Sequence, residues 1–225
     1  MNKALRGLVA ATAMNMATAS MAQAQDRHVV IGLDLSSSTP LTSDMAYAAR
    51  ASASVNELLA GLEPGDRVSV RSVGDYGVTA NKLNFDLVVS RRIPVIKVRR
   101  TVGQLISNLP RLTGTEKLPV AQSTNLIGFL ELESYSVECS IQSTEFLLLT
   151  DGVEWSPSTN GNDLAAGTAT LPQPETENLK GCGLTMLGIG QLQSSSTPAT
   201  TNNLIKAWRE WAENVGMTFT PKPGL

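Results

Sequence analysis

The strongest constraint on the fold is a repeated pattern of short, continuously apolar runs that stop abruptly at polar residues, with helix-spaced stretches between them. Residues 28–34 (HVVIGLD), 144–152 (TEFLLLTDG) and 184–190 (LTMLGIG) are such runs. Apolar character on consecutive strand positions marks a strand buried on both faces. Between the runs, Ala51, Val55, Leu58, Leu59 and Leu62 fall at i, i+4, i+7, i+8 and i+11, and Leu204, Trp208, Trp211, Ala212 and Val215 repeat that spacing. Each set is one face of a helix. Alternation of buried strands and helices predicts an open α/β sheet, mostly parallel.

The remaining elements follow from local signals. The first helix is expected over 43–62, with Ser43 as its cap and Gly61 near its stop. After the turn EPGD, Val68, Val70 and Val73 mark a second strand. NFDLVVS marks a third, antiparallel if residues 74–84 form a hairpin connection. A short helix over 98–109 should end at Pro110, and another should start from a Ser/Thr cap in STNLIGFLELESYS. The stretch 155–180, rich in Ser, Thr, Pro, Gly and Asn, is expected to be a long loop, and 217–220 an edge strand.

In open α/β sheets, ligands bind outside the carboxyl ends of the strands. Asp34 and Asp151 both stand there, at the polar ends of two buried runs. Asp34-x-Ser36-x-Ser38 admits three readings: a Ser-rich turn, a nucleophile, or a ligand set. Side chains at alternate positions along a turn can face a common centre. Thr124, at the start of a helix, adds a hydroxyl if it does not serve as the cap. Two carboxylates and three hydroxyls are hard oxygen donors without nitrogen or sulfur. That inventory suits Mg²⁺, Mn²⁺ or Ca²⁺ rather than zinc.

Two carboxylates balance one divalent cation, which leaves the ion electrophilic towards a further carboxylate. A hydrolase using the strand-end Asp/Ser cluster is the alternative. The single histidine, His28, begins the strand that ends at Asp34, which puts it about 20 Å away, too far to activate Ser36 or Ser38. No G-x-S-x-G, P-loop or G-x-G-x-x-G is present. A Ser–Lys arrangement would have Lys117 as its nearest upstream lysine.

Composition narrows the setting. With 225 residues, 42% hydrophobic and 17% charged, the chain has the makings of one sizeable globular domain. Lys3 and Arg6 precede the small-residue apolar stretch LVAATAMNMATASMA, which ends in Ala22-Gln23-Ala24, as a signal peptide over 1–24 would. A single domain over 25–225 then remains. Cleavage removes two cations and no acid, so the net charge falls from −2 to −4. A mildly acidic chain without a basic stripe is not built for nucleic acid. No later stretch reaches the ~18 apolar residues of a membrane span, so no stable membrane insertion is expected after cleavage. The two cysteines, Cys139 and Cys182, fit one disulfide in an exported protein. The absence of any N-x-[ST] site fits a bacterial periplasmic or secreted protein.

Taken together, Asp34, Ser36 and Ser38 in LDLSSS, Thr124 in STNL and Asp151 in TDG resemble the metal-ion-dependent adhesion site of the von Willebrand factor A domain family. LLAGLEPGDRVSV, residues 58–70, is similar to the helix-to-second-strand passage of these domains, and the resemblance covers roughly 28–220. It implies a doubly wound six-stranded sheet with one antiparallel edge strand and helices on both faces. It also implies a cation ligated directly by Ser36, Ser38 and Thr124, with Asp34 and Asp151 acting directly or through water. The implied partner is a protein that supplies a Glu or Asp carboxylate. The loops 75–82 and 155–174 would set specificity, with Trp155 and Asp75 as rim residues. Both cysteines would lie at the end of the sheet opposite the metal.

Overall fold

The computed structural model describes residues 26–74, 82–115, 118–137, 139–193 and 196–225. The apolar runs form one six-stranded sheet in the order β3-β2-β1-β4-β5-β6. The strands are β1 His28–Asp34, β2 Arg67–Val73, β3 Asn84–Val88, β4 Thr144–Leu149, β5 Gly183–Leu187 and β6 Thr218–Lys222. Only β3, at one edge, is antiparallel to its neighbour. The signal peptide expected over 1–24, together with Asp75 and Lys117, lies outside the described residues.

Five α-helices occur among the described residues: α1 Met45–Leu58, α2 Val95–Leu112, α3 Leu126–Ser134, α4 Gly161–Ala166 and α5 Pro198–Val215. Side chains alternate across a strand, and each sheet face builds its own core. Val29, Ile31 and Leu33 of β1 pack with Val55 of α1 and with Val98, Val102 and Ile106 of α2. Val30, Phe146 and Leu148 pack with Leu126, Phe129 and Leu130 of α3 and with Leu204, Trp208 and Trp211 of α5. The fold is therefore a doubly wound α/β sandwich: the sequence pattern predicts its open, mostly parallel sheet, and the family resemblance implies the helices on both faces.

Gly32 sets how closely α3 approaches. A Cβ there would stand 2.6 Å from Leu148 Cδ2 and 3.0 Å from Phe129 Cε1. Only the bare backbone admits the Phe129 ring over the middle of β1.

Several boundaries differ from the sequence expectation. The first helix is capped by Asp44, whose side chain accepts from the amides of Ala46 and Tyr47. Residues Pro40–Thr42 form a separate 3-10 turn capped by Thr39, so Ser43 falls between the two turns. Pro110 does not stop α2, which runs on to Leu112. Proline costs one helix hydrogen bond but keeps a helical φ. Here Leu109 is buried in the core, and both the Thr113 amide and hydroxyl donate to the Leu109 carbonyl, closing the turn beyond it. The expected loop at 155–180 contains α4, capped by Asn160 and closed by Gly167 at φ 76°.

Cys139 and Cys182 are joined in a disulfide across 43 residues. They precede β4 and β5 and so lie at the amino end of the sheet. Closing a loop of that length stabilises by roughly 4 kcal/mol on the chain-entropy account. The Cys139→Ser/Cys182→Ser variant is accordingly expected to melt roughly 10 °C lower in calorimetry. An unchanged melting temperature would show that the bridge contributes nothing to the folded state.

His28 is buried at the same end, with its Nε2 2.8 Å from Ser69 Oγ. Ser69 in turn donates to Asp86 Oδ1 at 2.5 Å, so the ring donates through Nε2. Burial, then the charge of Arg67, lowers the His28 pKa to about 4; Asp86 opposes this and Arg71 adds to it. The unfolded imidazole takes its proton near pH 6.5. Between about 4 and 6.5 the unfolded chain therefore binds more protons, and stability, full above 6.5, falls as pH drops. His28→Gln is expected to remove roughly 2 kcal/mol of the loss between pH 7 and 4.5, read from urea midpoints. Parallel pH curves for variant and wild type would assign that loss to other groups.

Candidate metal centre

The strand order reverses between β1 and β4, and that switch point is where open α/β sheets form their ligand crevice. Asp34 is the last residue of β1, and Asp151 follows β4 by two residues. Leu33 pairs with Leu149, so the two carboxylates emerge from adjacent strands at one edge.

Each aspartate organises its own turn. Asp34 Oδ1 accepts from the Ser36 amide at 2.8 Å, and Asp151 Oδ1 accepts from the Val153 amide at 2.9 Å. Both are i to i+2 Asx turns, in which an aspartate accepts from the backbone two residues on. The second oxygens separate the pair. Asp34 Oδ2 accepts from the Thr150 hydroxyl at 2.7 Å, whereas Asp151 Oδ2 is buried with no hydrogen-bond partner. Ser36 Oγ and Ser38 Oγ are 3.0 Å apart, which gathers both hydroxyls over the Asp34 turn.

Thr124 reaches the same edge through backbone contacts. The Ala121 amide donates to Leu35 O at 2.9 Å, and the Asn125 amide to Gly74 O at 3.2 Å. Thr124 and Trp155 exchange both backbone hydrogen bonds, at 3.2 and 2.8 Å. This segment therefore lies between the Asp34 turn and the Asp151 loop. The cap of α3 is Asn125, whose side chain accepts from the Gly128 amide. Thr124 is released from the capping duty that the Ser/Thr reading of this helix start would give it.

Asp34 and Asp151 are both fully buried. Burial pushes the Asp34 carboxyl above the usual range, against hydrogen bonds from Thr150 and Ser36. Burial, and then the charge of Asp34, raise Asp151 to about 7, while the Ser38 hydroxyl and the Val153 amide pull it back. Tyr47, from the start of α1, is pushed upward by burial and by the charge of Asp151. Two buried carboxylates facing each other are costly unless a cation compensates them. An orphaned oxygen on one of them and hydroxyls alongside fit a hard divalent ion. Among the described residues, no three or more His, Cys, Asp or Glu side chains gather into a metal-holding group, so any such ion would rely on hydroxyls and water for the rest of its shell.

Four contributors lie outside the sequence-derived set. Thr150 orients Asp34. Glu154 is buried, and its Oε2 accepts from the Leu126 and Ile127 amides at 2.7 and 3.3 Å, which ties the Asp151 loop to the start of α3. Burial raises its pKa to about 7, against the Ser156 hydroxyl and those two amides. Gln193 donates its amide to Ser38 O at 2.8 Å, and its side chain bonds Ser43 Oγ. Trp208 Nε1 donates to Gly152 O at 2.7 Å. Thr150 and Glu154 stand beside Asp151 in sequence and Trp208 lies on the apolar face of the last helix, whereas nothing in the sequence points to Gln193. Of the rim residues, Trp155 is 44% exposed with its ring edge against Gly161. Asp75 lies outside the described residues.

No protein-family profile matches the chain, and no curated protein is similar to it in sequence. Among solved structures it is similar to a von Willebrand factor type A protein from Catenulispora acidiphila, at 16% identity over 88% of this chain and 38% of that one, with a TM-score of 0.46. It is also similar to the pilus adhesin SpaC from Lactobacillus rhamnosus GG, at 12% identity over 88% and 28% of the two chains and a TM-score of 0.46. A third is the SpRpn10 VWA domain, at 11% identity over 89% of each chain and a TM-score of 0.42. The chain thus spans 38% and 28% of the lengths of the first two.

Proposed function

We propose that this chain is an exported, metal-dependent protein-binding module that captures an acidic residue of a partner at a divalent cation. Asp34, Ser36, Ser38, Thr124 and Asp151 would hold the ion, Mg²⁺ by preference with Mn²⁺ or Ca²⁺ as substitutes. The observation that carries this reading is Asp151 Oδ2, a buried carboxylate oxygen without a partner, set beside a second buried carboxylate and a pair of serine hydroxyls. When bound, the cation supplies an electrophilic position for a carboxylate oxygen. The protein's own groups do the rest. Thr150 and the Ser36 amide hold Asp34 in place, and the Val153 amide holds Asp151. The Thr124–Trp155 pairing sets the third hydroxyl-bearing segment alongside.

Binding without catalysis is supported by the position of His28, at the far end of β1 and engaged with Ser69, where it cannot serve Ser36 or Ser38 as a base. The disulfide and the A-x-A pattern at 22–24 support export to a periplasmic or extracellular setting. No helix among the described residues is long and apolar enough to cross a membrane. Titration calorimetry of the purified protein with Mg²⁺ and Mn²⁺ tests the reading. Near 1:1 binding is expected, and a heat signal that survives loss of Asp34 would overturn it.

A further inference from the structure

No acidic residue occurs from Leu87 to Thr115, yet five of the chain's 18 Lys and Arg fall within ten positions of that stretch: Arg91, Arg92, Lys97, Arg99 and Arg100. They occupy the β3–α2 connection and the first turns of α2. Val98, Val102, Ile106 and Leu109 turn α2 towards the core, which leaves Ile96, Lys97 and Arg100 on its outer face. All three are exposed, Ile96 at 59%, and Arg91 and Arg92 are exposed in the connection before them. The ion pairs among the described residues are Arg71 with Asp86 and Glu133, and Lys206 with Glu210, so none of the five cations is paired within that set. Arg99 is half-buried, and its Nε has no hydrogen-bond partner.

Position adds a second observation. Val88 of β3 pairs with Arg67, the first residue of β2, so the β3–α2 connection leaves the sheet at its amino end, opposite the edge that carries Asp34 and Asp151. The N-terminal part of the chain enters at the same corner. The Arg27 amide donates to Asp66 Oδ1 at 2.8 Å, and the Val89 amide donates to Asp66 O at 2.8 Å. Asp66 is buried, with its other carboxylate oxygen on the Glu63 amide, while Asp26 and Glu63 stand exposed nearby.

We propose that this unpaired basic face docks onto an anionic bilayer surface and so holds the Asp34–Asp151 edge away from the membrane. Cations with an apolar side chain among them are what a helix needs to lie on a bilayer without crossing it. Each Lys or Arg near an anionic leaflet strengthens adsorption roughly fivefold. The chain also brings this corner to a membrane. Lys3, Arg6 and the apolar stretch 8–22 precede residue 26, so on the export reading the leader, while still attached, holds the basic face against the bilayer. An acidic protein is the poorer occupant. Residues 90–100 contain no aromatic side chain, whereas protein interfaces centre on buried aromatic anchors.

The test is co-sedimentation of the chain from residue 25 onward, which holds every described element, with two kinds of vesicle. One is phosphatidylcholine with about 30% phosphatidylglycerol, and the other is phosphatidylcholine alone. Retention on the anionic vesicles at about 50 mM NaCl, release at about 500 mM and none on the neutral vesicles are expected. Arg91→Gln/Arg92→Gln/Lys97→Gln/Arg100→Gln should weaken retention about a hundredfold. Arg50→Gln/Lys180→Gln/Lys206→Gln/Arg209→Gln removes the same charge from exposed positions elsewhere and should bind as the wild type does. Equal losses in the two variants, or no retention of the wild type, overturn the docking face. EDTA should change nothing, so failure of the metal reading leaves this result untouched. Retention that EDTA abolishes would place the contact at the Asp34–Asp151 edge and overturn the basic face. Capture of a soluble octaglutamate peptide in place of the anionic vesicles would assign the face to an acidic protein and overturn the bilayer as its occupant.

Discussion

Replacing Asp34 by asparagine is expected to weaken Mg²⁺ binding by about two to four orders of magnitude while the protein stays folded. The substitution keeps the shape of the side chain, and its carbonyl oxygen can still accept from the Ser36 amide. The Thr150 hydroxyl, which donates to the carboxylate in the wild type, can rotate to accept from the new amide. What disappears is one of two buried negative charges. Removing one partner from a buried, compensated charge set costs about 3–5 kcal/mol, which corresponds to roughly 10²–10⁴ in affinity. The same change relieves the repulsion that raises Asp151, so the cation-free variant should be no less stable than the cation-free wild type. Calorimetry for binding and urea midpoints in EDTA for stability read both effects. Wild-type affinity in Asp34→Asn would return Asp34, Ser36 and Ser38 to the status of a capped turn.

Trp208→Phe should destabilise the fold by about 3 kcal/mol. The indole is fully buried and meets Trp211 edge to face, with ring centroids 5.4 Å apart. Phenylalanine leaves a void where the second ring stood. It also strips the Gly152 carbonyl of its 2.7 Å donor, and an unsatisfied buried carbonyl alone costs about 1–3 kcal/mol. Gly152 sits at φ 79°, directly after Asp151, so this hydrogen bond holds the Asp151 loop to α5. Trp211→Phe is the matched control, since its Nε1 donates to Pro172 O at 2.8 Å, away from that loop. Both variants should lower the urea midpoint, but only Trp208→Phe should also weaken Mg²⁺ binding. Equal binding losses in the two would mean that α5 supports the loop through packing alone.

The strands were legible because each carries its own evidence. A run such as Phe146–Leu149 is apolar on every position, and only burial on both faces accommodates that. The Asp34 turn was legible for the same reason, since its aspartate and two serines are separated by single residues. Caps and helix ends were less so. Asp44 and Ser43 are both good caps by composition, and the choice fell to Asp44 because Pro40–Thr42 had already formed a turn of its own. Asn125 likewise displaced the neighbouring Ser and Thr as the cap of α3. Pro110 was a reasonable stop by propensity, and the capping of Leu109 by Thr113 outweighed it.

By itself the sequence determined the class of fold, the parallel core strands and the two acidic strand ends, because periodicity and turn chemistry act over a few residues. Tertiary structure alone decided that Thr150 reaches Asp34 across 116 residues, that Glu154 grips α3 from 28 residues away, and that Trp208 reaches Gly152 from 56. Those bonds depend on which strand ends become neighbours and how closely helices approach the sheet, as where Gly32 admits Phe129. That arrangement is set by packing on the two sheet faces together, and no short stretch of sequence encodes it.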